Sequence, residues 1–313
     1  MKSLLLPVLL LYSTWIWAQD DLAALAEELV PKESEPVLAT FKAFRLINAQ
    51  TNETAKERNL HFNIAHRFGT VFTDGQLNVH SFFGLDQAPD IRFSFDYGVT
   101  DRLQLGVGRS KGLEPYTELY DGNAKYRLLW QTTDDRIPVS ITLYGVAAVT
   151  GRKSSSDPSS DAYYQDRFAH RWSYVSQAII ARKFSPGASL MLLPTWTHRN
   201  YVYYKDENDM FSLGIGGRIK VSNRTALIAD YFYNFSEYRR QEKDDAGDLI
   251  FSNPLSLGVE FETGGHVFAL MFTNAAGILE NSFLPATKSS WADGEFRWGF
   301  NLTRNFVLGR KDW

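Results

Sequence analysis

The stretch IRFSFDYGVTDRLQLGVGR, residues 91–109, decides the fold. Apolar side chains occupy every second position from Ile91 to Tyr97, and polar side chains occupy the positions between them. After the short connection 98–102, the same alternation resumes at Leu103. Because successive side chains of a strand point to opposite faces, this period of two predicts an antiparallel hairpin with one apolar and one polar face.

The same alternation recurs along most of the chain and predicts about twelve strands. Most of them have 9–13 residues, and a tilted strand needs roughly 9–11 residues to cross the hydrocarbon of a bilayer. The predicted strands lie near 60–69, 90–98, 102–110, 122–132, 138–150, 170–183, 188–200, 210–220, 225–237, 254–262, 266–275 and 294–302.

Short and long connections take turns between these strands. A secreted β-sandwich also has alternating strands, but its crossing connections would not keep this order. The pattern therefore predicts an all-β fold, an antiparallel transmembrane β-barrel of about 12 strands with short periplasmic turns and long extracellular loops. The short turns are 98–102, 132–138, 184–188, 221–225 and 262–266, and the long loops lie near 70–89, 111–121, 151–169, 200–209, 238–253 and 276–293.

Composition agrees with an exported barrel and excludes several kinds of site. Aromatic residues make up 14% of the chain, while the mean hydropathy is only −0.27, as expected when every second strand residue is polar. The chain has no cysteine, which excludes disulfides, thiolate-bound metal sites and a thiol nucleophile. The net charge is −3, so the chain lacks the overall basic character that would indicate nucleic-acid binding. No cofactor is expected.

The N-terminus has the pattern of an export signal. Residues 1–18, MKSLLLPVLLLYSTWIWA, combine a basic start with a short apolar run, which predicts a signal peptide and location in the outer membrane of a Gram-negative cell. Residues 19–58 are acidic and polar with two prolines, and we interpret them as a periplasmic N-terminal lead-in. The barrel is predicted to occupy residues 59–313.

Four segments resemble an uncharacterised family of Gram-negative outer-membrane β-barrels, the domain-of-unknown-function barrel proteins. They are TFKAFRLINAQTNET (40–54), HFNIAHRFGTV (61–71), the stretch 80–110 that begins HSFFGLD, and YDGNAKYRLLWQ (120–131). The resemblance implies the barrel fold and the outer-membrane location. It implies no activity, substrate or catalytic residue.

The polar faces of the strands supply the candidate functional residues. If the apolar faces contact outer-membrane lipid, seven cations and five anions line the lumen, which suits a passive channel for small polar solutes. The alternative is a closed structural or anchoring barrel that partners a periplasmic or surface complex, with its internal charges paired. The lumen-lining candidates are Arg67, Arg92, Asp96, Lys125, Arg127, Arg218, Lys220, Asp230, Glu260, Glu262, Glu295 and Arg297.

Two further hypotheses concern the lead-in and catalysis. Residues 40–54 immediately precede the barrel, so they are expected either to plug the lumen or to contact a periplasmic protein partner together with the rest of 19–58. His80 and Ser81 are neighbours in the sequence and leave an outer-membrane hydrolase as a remote alternative. No catalytic or metal-binding pattern is found, and the protein is not expected to be an enzyme.

Overall fold

The computed structural model describes residues 34–73, 75–160, 162–165 and 167–308. The predicted signal peptide 1–18 and the lead-in as far as residue 33 lie outside the described residues. The barrel unit begins at Pro36.

Twelve antiparallel strands form a closed barrel within the described residues. Each strand pairs with its neighbours in sequence, and the first and last strands close the barrel, with Ile64 opposite Leu302. This confirms the predicted twelve-stranded barrel. The strands are β1 Asn59–Thr70, β2 Asp90–Gly98, β3 Leu103–Leu113, β4 Tyr116–Leu129, β5 Ser140–Thr150, β6 Trp172–Ser185, β7 Ala188–Arg199, β8 Asp209–Lys220, β9 Thr225–Asn234, β10 Leu255–Thr263, β11 His266–Thr273 and β12 Arg297–Val307.

The connections carry two short α-helices, α1 Glu237–Gln241 and α2 Glu280–Ala286. Single 3-10 turns lie at Val79–Ser81 and Phe168–Arg171, and Phe72–Thr73 pairs with Gln76–Leu77 in a small ribbon. In the part of the chain that the structure describes, no helix has the length and apolar character needed to cross a membrane.

Side-chain exposure follows the period of two. In β2, Arg92, Ser94 and Asp96 are buried inside the barrel, whereas Phe93 and Phe95 are exposed on its outer surface. Val107 and Phe211 on the outer surface are 62% and 61% exposed. Exposed apolar side chains at such positions are the pattern expected of a barrel whose outer surface faces lipid.

The two ends of the barrel differ. Five short connections lie at one end, together with the start of β1 and the end of β12, and we call this the turn end. Six connections lie at the opposite end, which we call the loop end. The prediction of a long loop at 111–121 is wrong, because β3 and β4 extend to Leu113 and Tyr116 and are joined by two residues. Burial of Tyr116 and Leu119 stabilises this extension of the hairpin.

The interior of the barrel has a polar and an apolar sector. Buried charges and amides concentrate on β1 to β4. The inward face of β6 and β7, however, carries Val175, Ile179, Met191 and Leu193, and these side chains belong to a continuous apolar core. The assignment of only polar side chains to the interior was therefore incomplete.

Candidate functional site

A hairpin from the N-terminal segment fills the interior from the turn end. Residues 40–55, which we call the plug, are mostly buried, and the backbone of Thr51 donates to the carbonyl of Phe44 at 2.9 Å. The Leu46 N–H donates to the Ala49 carbonyl at 2.8 Å, so that the chain reverses at Ile47 and Asn48. Asn suits such a reversal because its short side chain tolerates turn conformations.

The apex of the plug is held by a wall carboxylate. Asp230 is the sixth of the ten residues of β9 and is buried. One of its oxygens accepts the backbone N–H groups of Ile47, Asn48 and Ala49, at 3.2, 2.7 and 2.9 Å. Successive N–H groups that converge in this way form an anion-binding nest, which the wall occupies with its own carboxylate.

Arg67 holds the other side of the apex. Its guanidinium donates to the Ile47 carbonyl and the Asn48 side-chain oxygen, both at 3.0 Å. Asn301 donates to the same Ile47 carbonyl at 3.0 Å. The apex therefore lies between a buried anion and a buried cation, each of which satisfies main-chain groups that water would otherwise bind.

The flanks of the plug are bound in the same manner. The Lys125 ammonium donates to the carbonyls of Phe44 and Thr51 at 2.9 and 3.1 Å. Arg127 donates to the Asn52 carbonyl at 2.8 Å and forms an ion pair with Glu53 at 3.2 Å. The inward cations of β4 thus bind the plug backbone and do not face an open lumen.

Apolar packing holds the remaining side of the plug. Phe41, Leu46 and Ile47 are almost completely buried and belong to the same core as Met191 and Leu193. Gly216 makes room for this contact, since a Cβ there would lie 2.5 Å from the Met191 methyl and 3.3 Å from a Leu46 methyl. Gly216 therefore leaves room for the plug.

A second segment enters the barrel from the loop end. Residues 274–287, which we call the loop insert, include α2, and Leu279, Phe283 and Leu284 are buried in the apolar core. Asp90 at the start of β2 accepts the Ile278 N–H at 2.9 Å and the Gly112 N–H at 2.9 Å. Each inserted segment thus donates to a wall carboxylate, the plug to Asp230 and the loop insert to Asp90.

The plug and the loop insert meet inside the barrel. Glu280 of the insert is completely buried and lies 3.3 Å from the Arg45 guanidinium and 3.2 Å from the Gln50 amide nitrogen. Arg45 also donates to the Ile278 carbonyl at 2.8 Å. The two segments therefore contact each other through a buried ion pair inside the barrel.

A small polar cavity remains beside the plug, on the side of β1 to β4. Its volume is about 40 Å³, and Arg45, Arg92, Asp96, Gln104 and Tyr144 are among the residues that line it. One water needs roughly 10–15 Å³ by this measure. The cavity holds a few waters at most and is far too small for a solute.

The structure brings ten of the twelve sequence-predicted residues to inward positions on wall strands. Besides Arg67, Lys125, Arg127 and Asp230 at the plug, Arg92 pairs with Asp121 at 2.5 Å, and Asp96 accepts from Asn63 at 2.7 Å. Arg218 pairs with Glu260 and Glu262 at 2.7 and 2.6 Å, Glu262 also pairs with Lys42 at 3.2 Å, and Arg297 donates to Ser289 at 2.7 Å.

The other two candidates lie at the margins. Lys220 is exposed at the rim of the turn end, where β8 finishes. Glu295 precedes the first residue of β12, Arg297, and its carboxylate accepts from the Ser290 N–H at 3.1 Å within the connection. The predicted start of the last strand was too early, which placed Glu295 on the wall.

Sequence reasoning missed Asp90, Asp121 and Glu280. For the first two a signal existed, since the inward alternation of β2 and β4 extends to them. For the third, the apolar run around Ile278, Leu279, Phe283 and Leu284 in an otherwise polar loop was the available signal. Such a run in a loop indicates burial rather than exposure to solvent.

The remote hydrolase candidates lie apart from the plugged interior. His80 is exposed in the short 3-10 turn of the first loop-end connection, and the Ser81 hydroxyl donates to the Asn78 carbonyl at 3.5 Å. Among the described residues, no three His, Asp or Glu side chains converge as they would to hold a metal ion.

Comparison with known proteins gives one family. A family model described as "Membrane bound beta barrel domain (DUF5777)" matches residues 41–306, from the plug to the last strand. This confirms the resemblance seen in the sequence. No curated protein matches the chain.

Solved structures of similar shape have low identity. The KdgM porin is 6% identical, with 79% of this chain and 99% of that chain covered and a TM-score of 0.45. An outer membrane channel from Pseudomonas putida F1 is 12% identical, with 82% and 98% covered and a TM-score of 0.43. LpxR from Salmonella typhimurium is 10% identical, with 80% and 100% covered and a TM-score of 0.36. No shared function follows at these scores.

Proposed function

Because the chain belongs to the family of membrane-bound β-barrel domains described as DUF5777, we propose that it is a closed barrel of the Gram-negative outer membrane. It does not conduct solutes in this state. Its strands anchor it in the lipid, and its long loops form a surface for binding. The observation that carries the proposal is the apolar core inside the barrel, shared by the wall, the plug and the loop insert.

The apolar core favours a closed barrel for an energetic reason. A water-filled pore would expose the inward side chains of β6 and β7, and also Ile228, Phe232 and Met271. Burying one such side chain is worth about 1.5–3 kcal/mol. Removing the plug and the loop insert would expose many such side chains at once and would cost several times this free energy. This cost supports both segments as permanent parts of the fold.

The asymmetry of the two ends supports the orientation. Outer-membrane barrels have short periplasmic turns and longer extracellular loops, so the turn end is periplasmic in this proposal. The chain enters the barrel there, where the Val37 N–H donates to the Gln131 carbonyl at 2.7 Å. A periplasmic partner that binds within 19–58 would contact the part before the plug, since residues 40–55 are occupied inside the barrel.

The polar sector of the interior supports a second candidate, a passive channel for small polar solutes. Arg92, Asp96 and Lys125 would line an aqueous path along β2 to β4 if the plug were displaced. The 40 Å³ cavity lies on this side. In this candidate the plug is a gate, and the apolar sector is exposed during opening.

Single-channel conductance in a planar bilayer distinguishes the two candidates. The refolded parent is compared with Arg92→Ala, Arg127→Ala and a variant that lacks residues 40–54, after folding of each has been verified by heat-modifiable migration in a gel. We expect the parent to be silent. The deletion variant is expected to give at most irregular openings, because the loop insert remains in the barrel.

The opposite result would favour the channel. Steady ohmic openings of the parent, with an ion selectivity that shifts in the two arginine variants, would overturn the closed barrel. If the deletion variant is as silent as the parent, the loop insert and not the plug accounts for most of the block to conduction. The expectation that the protein is not an enzyme stays a prediction, and assays of lipid hydrolysis with Ser81→Ala as the control test the remote alternative.

A further inference from the structure

A cavity at the loop end is separate from the plugged lumen. Its volume is about 520 Å³, within the range of roughly 300–1,000 Å³ that is usual for small-molecule sites. Four of the six loop-end connections contribute to its lining, through Glu114, Tyr203, Phe251 and Lys288 among others. The residues Pro285 and Ala286 at the end of α2 lie along its inner side.

The floor of the cavity is a buried charge cluster. Asp206 accepts from Arg239 at 2.7 and 2.9 Å and from Arg199 at 3.0 Å. Both arginines are 4% exposed. Arg239 is further fixed by its bond to the Pro285 carbonyl at 2.8 Å, so the floor is bound to the loop insert.

The floor is positively charged. Two arginines, Arg199 and Arg239, share the single carboxylate of Asp206, so one positive charge is in excess. An anionic ligand in the cavity would be attracted by this charge.

Aromatic rings form the sides of the cavity. Tyr238 and Phe251 have ring centroids 5.7 Å apart, and Tyr203 is 43% exposed. The Lys288 ammonium lies 5.8 Å from the centroid of the Phe251 ring, and the Arg239 guanidinium lies 5.1 Å from it. Lys288 is exposed at the rim, and within the described chain no carboxylate pairs with it.

Glu114 does not neutralise this rim. It lines the cavity but forms an ion pair with Arg152, which brings a further cation to the same edge. The charged groups that line the cavity are three cations, Arg199, Arg239 and Lys288, and two anions, Glu114 and Asp206, and both anions are paired.

We propose that this cavity binds an anionic sugar, a ring of monosaccharide size that carries a carboxylate. The ring lies against Tyr203, Tyr238 or Phe251, because aromatic side chains offer large flat faces with little conformational freedom to lose. The carboxylate binds the Lys288 ammonium, above the positively charged floor. The site lies among the connections of the loop end, and the proposal does not depend on whether the lumen conducts.

Calorimetric titration of the folded protein in detergent tests the site. The probe is D-glucuronate, with D-glucose as the ring without the charge and acetate as the charge without the ring. We expect saturable binding of glucuronate, and binding at least tenfold weaker for each of the other two. Lys288→Gln is expected to weaken glucuronate binding about tenfold, since it removes one charge-assisted contact, and Tyr203→Ala several-fold.

Lys243→Gln is the matched control, because Lys243 is exposed in the same connection as Phe251 but does not line the cavity. It is expected to leave binding unchanged. The proposal is overturned if the folded parent does not bind glucuronate saturably. It is also overturned if glucose or acetate binds equally well, or if Lys288→Gln and Lys243→Gln have equal effects.

Discussion

Replacing Asp230 by asparagine should loosen the plug without unfolding the barrel. The carboxylate accepts three successive main-chain N–H groups at the plug apex. A hydrogen bond to a charged group is worth about 1.5–3 kcal/mol, and one between neutral groups about 0.5–1.5 kcal/mol. The isosteric Asp230→Asn variant keeps the shape but loses about 1 kcal/mol per bond, and therefore about 3 kcal/mol in total.

This loss predicts how often the plug leaves its site. Since 1.4 kcal/mol corresponds to a factor of ten, about 3 kcal/mol raises the population with a released plug roughly a hundredfold. A cysteine at position 52 reports the release. Asn52 is 1% exposed, and its side-chain amide has no hydrogen-bond partner among the described residues. The chain contains no other cysteine.

Maleimide labelling of Asn52→Cys measures the released population when opening and closing are fast compared with labelling. We expect the labelling rate to rise about a hundredfold when Asp230→Asn is added. Asp121→Asn is the matched control, because Asp121 is also a buried wall carboxylate but pairs with Arg92 and not with the plug. A rate that changes less than threefold with Asp230→Asn in the folded barrel, or equally with both variants, would refute the reasoning.

Three further predictions test the interior and the loop end. Gly216→Leu, whose side chain would enter the space of the plug, should raise the labelling of Asn52→Cys, whereas Gly217→Leu on the outer face should not; equal labelling would contradict it. Leu193→Ala should lower the free energy of unfolding in urea by about 2–5 kcal/mol, whereas Leu192→Ala, which is 42% exposed toward lipid, should cost at least 1 kcal/mol less because lipid fills the space. Burial raises the pKa of Asp206, but hydrogen bonds and charges from its two arginine partners outweigh this and hold the pKa below its usual value. Its stabilising contribution should therefore be complete above about pH 4 and be lost as the pH falls through the lowered pKa, which acid titration of the urea midpoint detects; an unchanged acid dependence in Asp206→Asn would exclude it.

The fold could be predicted from the sequence because strand alternation is a local signal. Ile91 to Tyr97 show the two faces of β2 without reference to any other strand. The alternation of short and long connections indicates that consecutive strands are neighbours in the barrel. The strand ends were less certain. KGLEPYTELYDG contains several turn-forming residues, and only the burial of Tyr116 and Leu119 against the interior shows that β3 and β4 continue there.

The plug could be proposed but not located from the sequence. Residues 40–54 were a candidate because of their position before β1, yet nothing local indicates that Ile47, Asn48 and Ala49 donate to a carboxylate more than 180 residues later. The loop insert was missed altogether. Its contacts, such as Glu280 with Arg45, join segments that are 235 residues apart, and a pattern with a period of two carries no information about them.

The buried charges of this barrel also change what an inward arginine or lysine indicates. Such residues were interpreted as candidates for a pore lining, since a polar strand face in a membrane barrel faces water. Here Lys125 and Arg67 bind plug carbonyls, and Asp230 binds plug N–H groups. An inserted segment without regular ladders brings main-chain groups that need partners, and a wall charge removed from water needs partners as well. The wall charges and the main-chain groups of the inserted segment are partners for each other. Charge on the inner face is therefore compatible with a pore and with a plug. Apolar side chains such as Ile179 and Leu193 at inward positions favour the plug, because a water column would leave them exposed. The inward apolar positions of β6 and β7, more than the charges of β2 and β4, are therefore the observation that supports the proposed closed barrel.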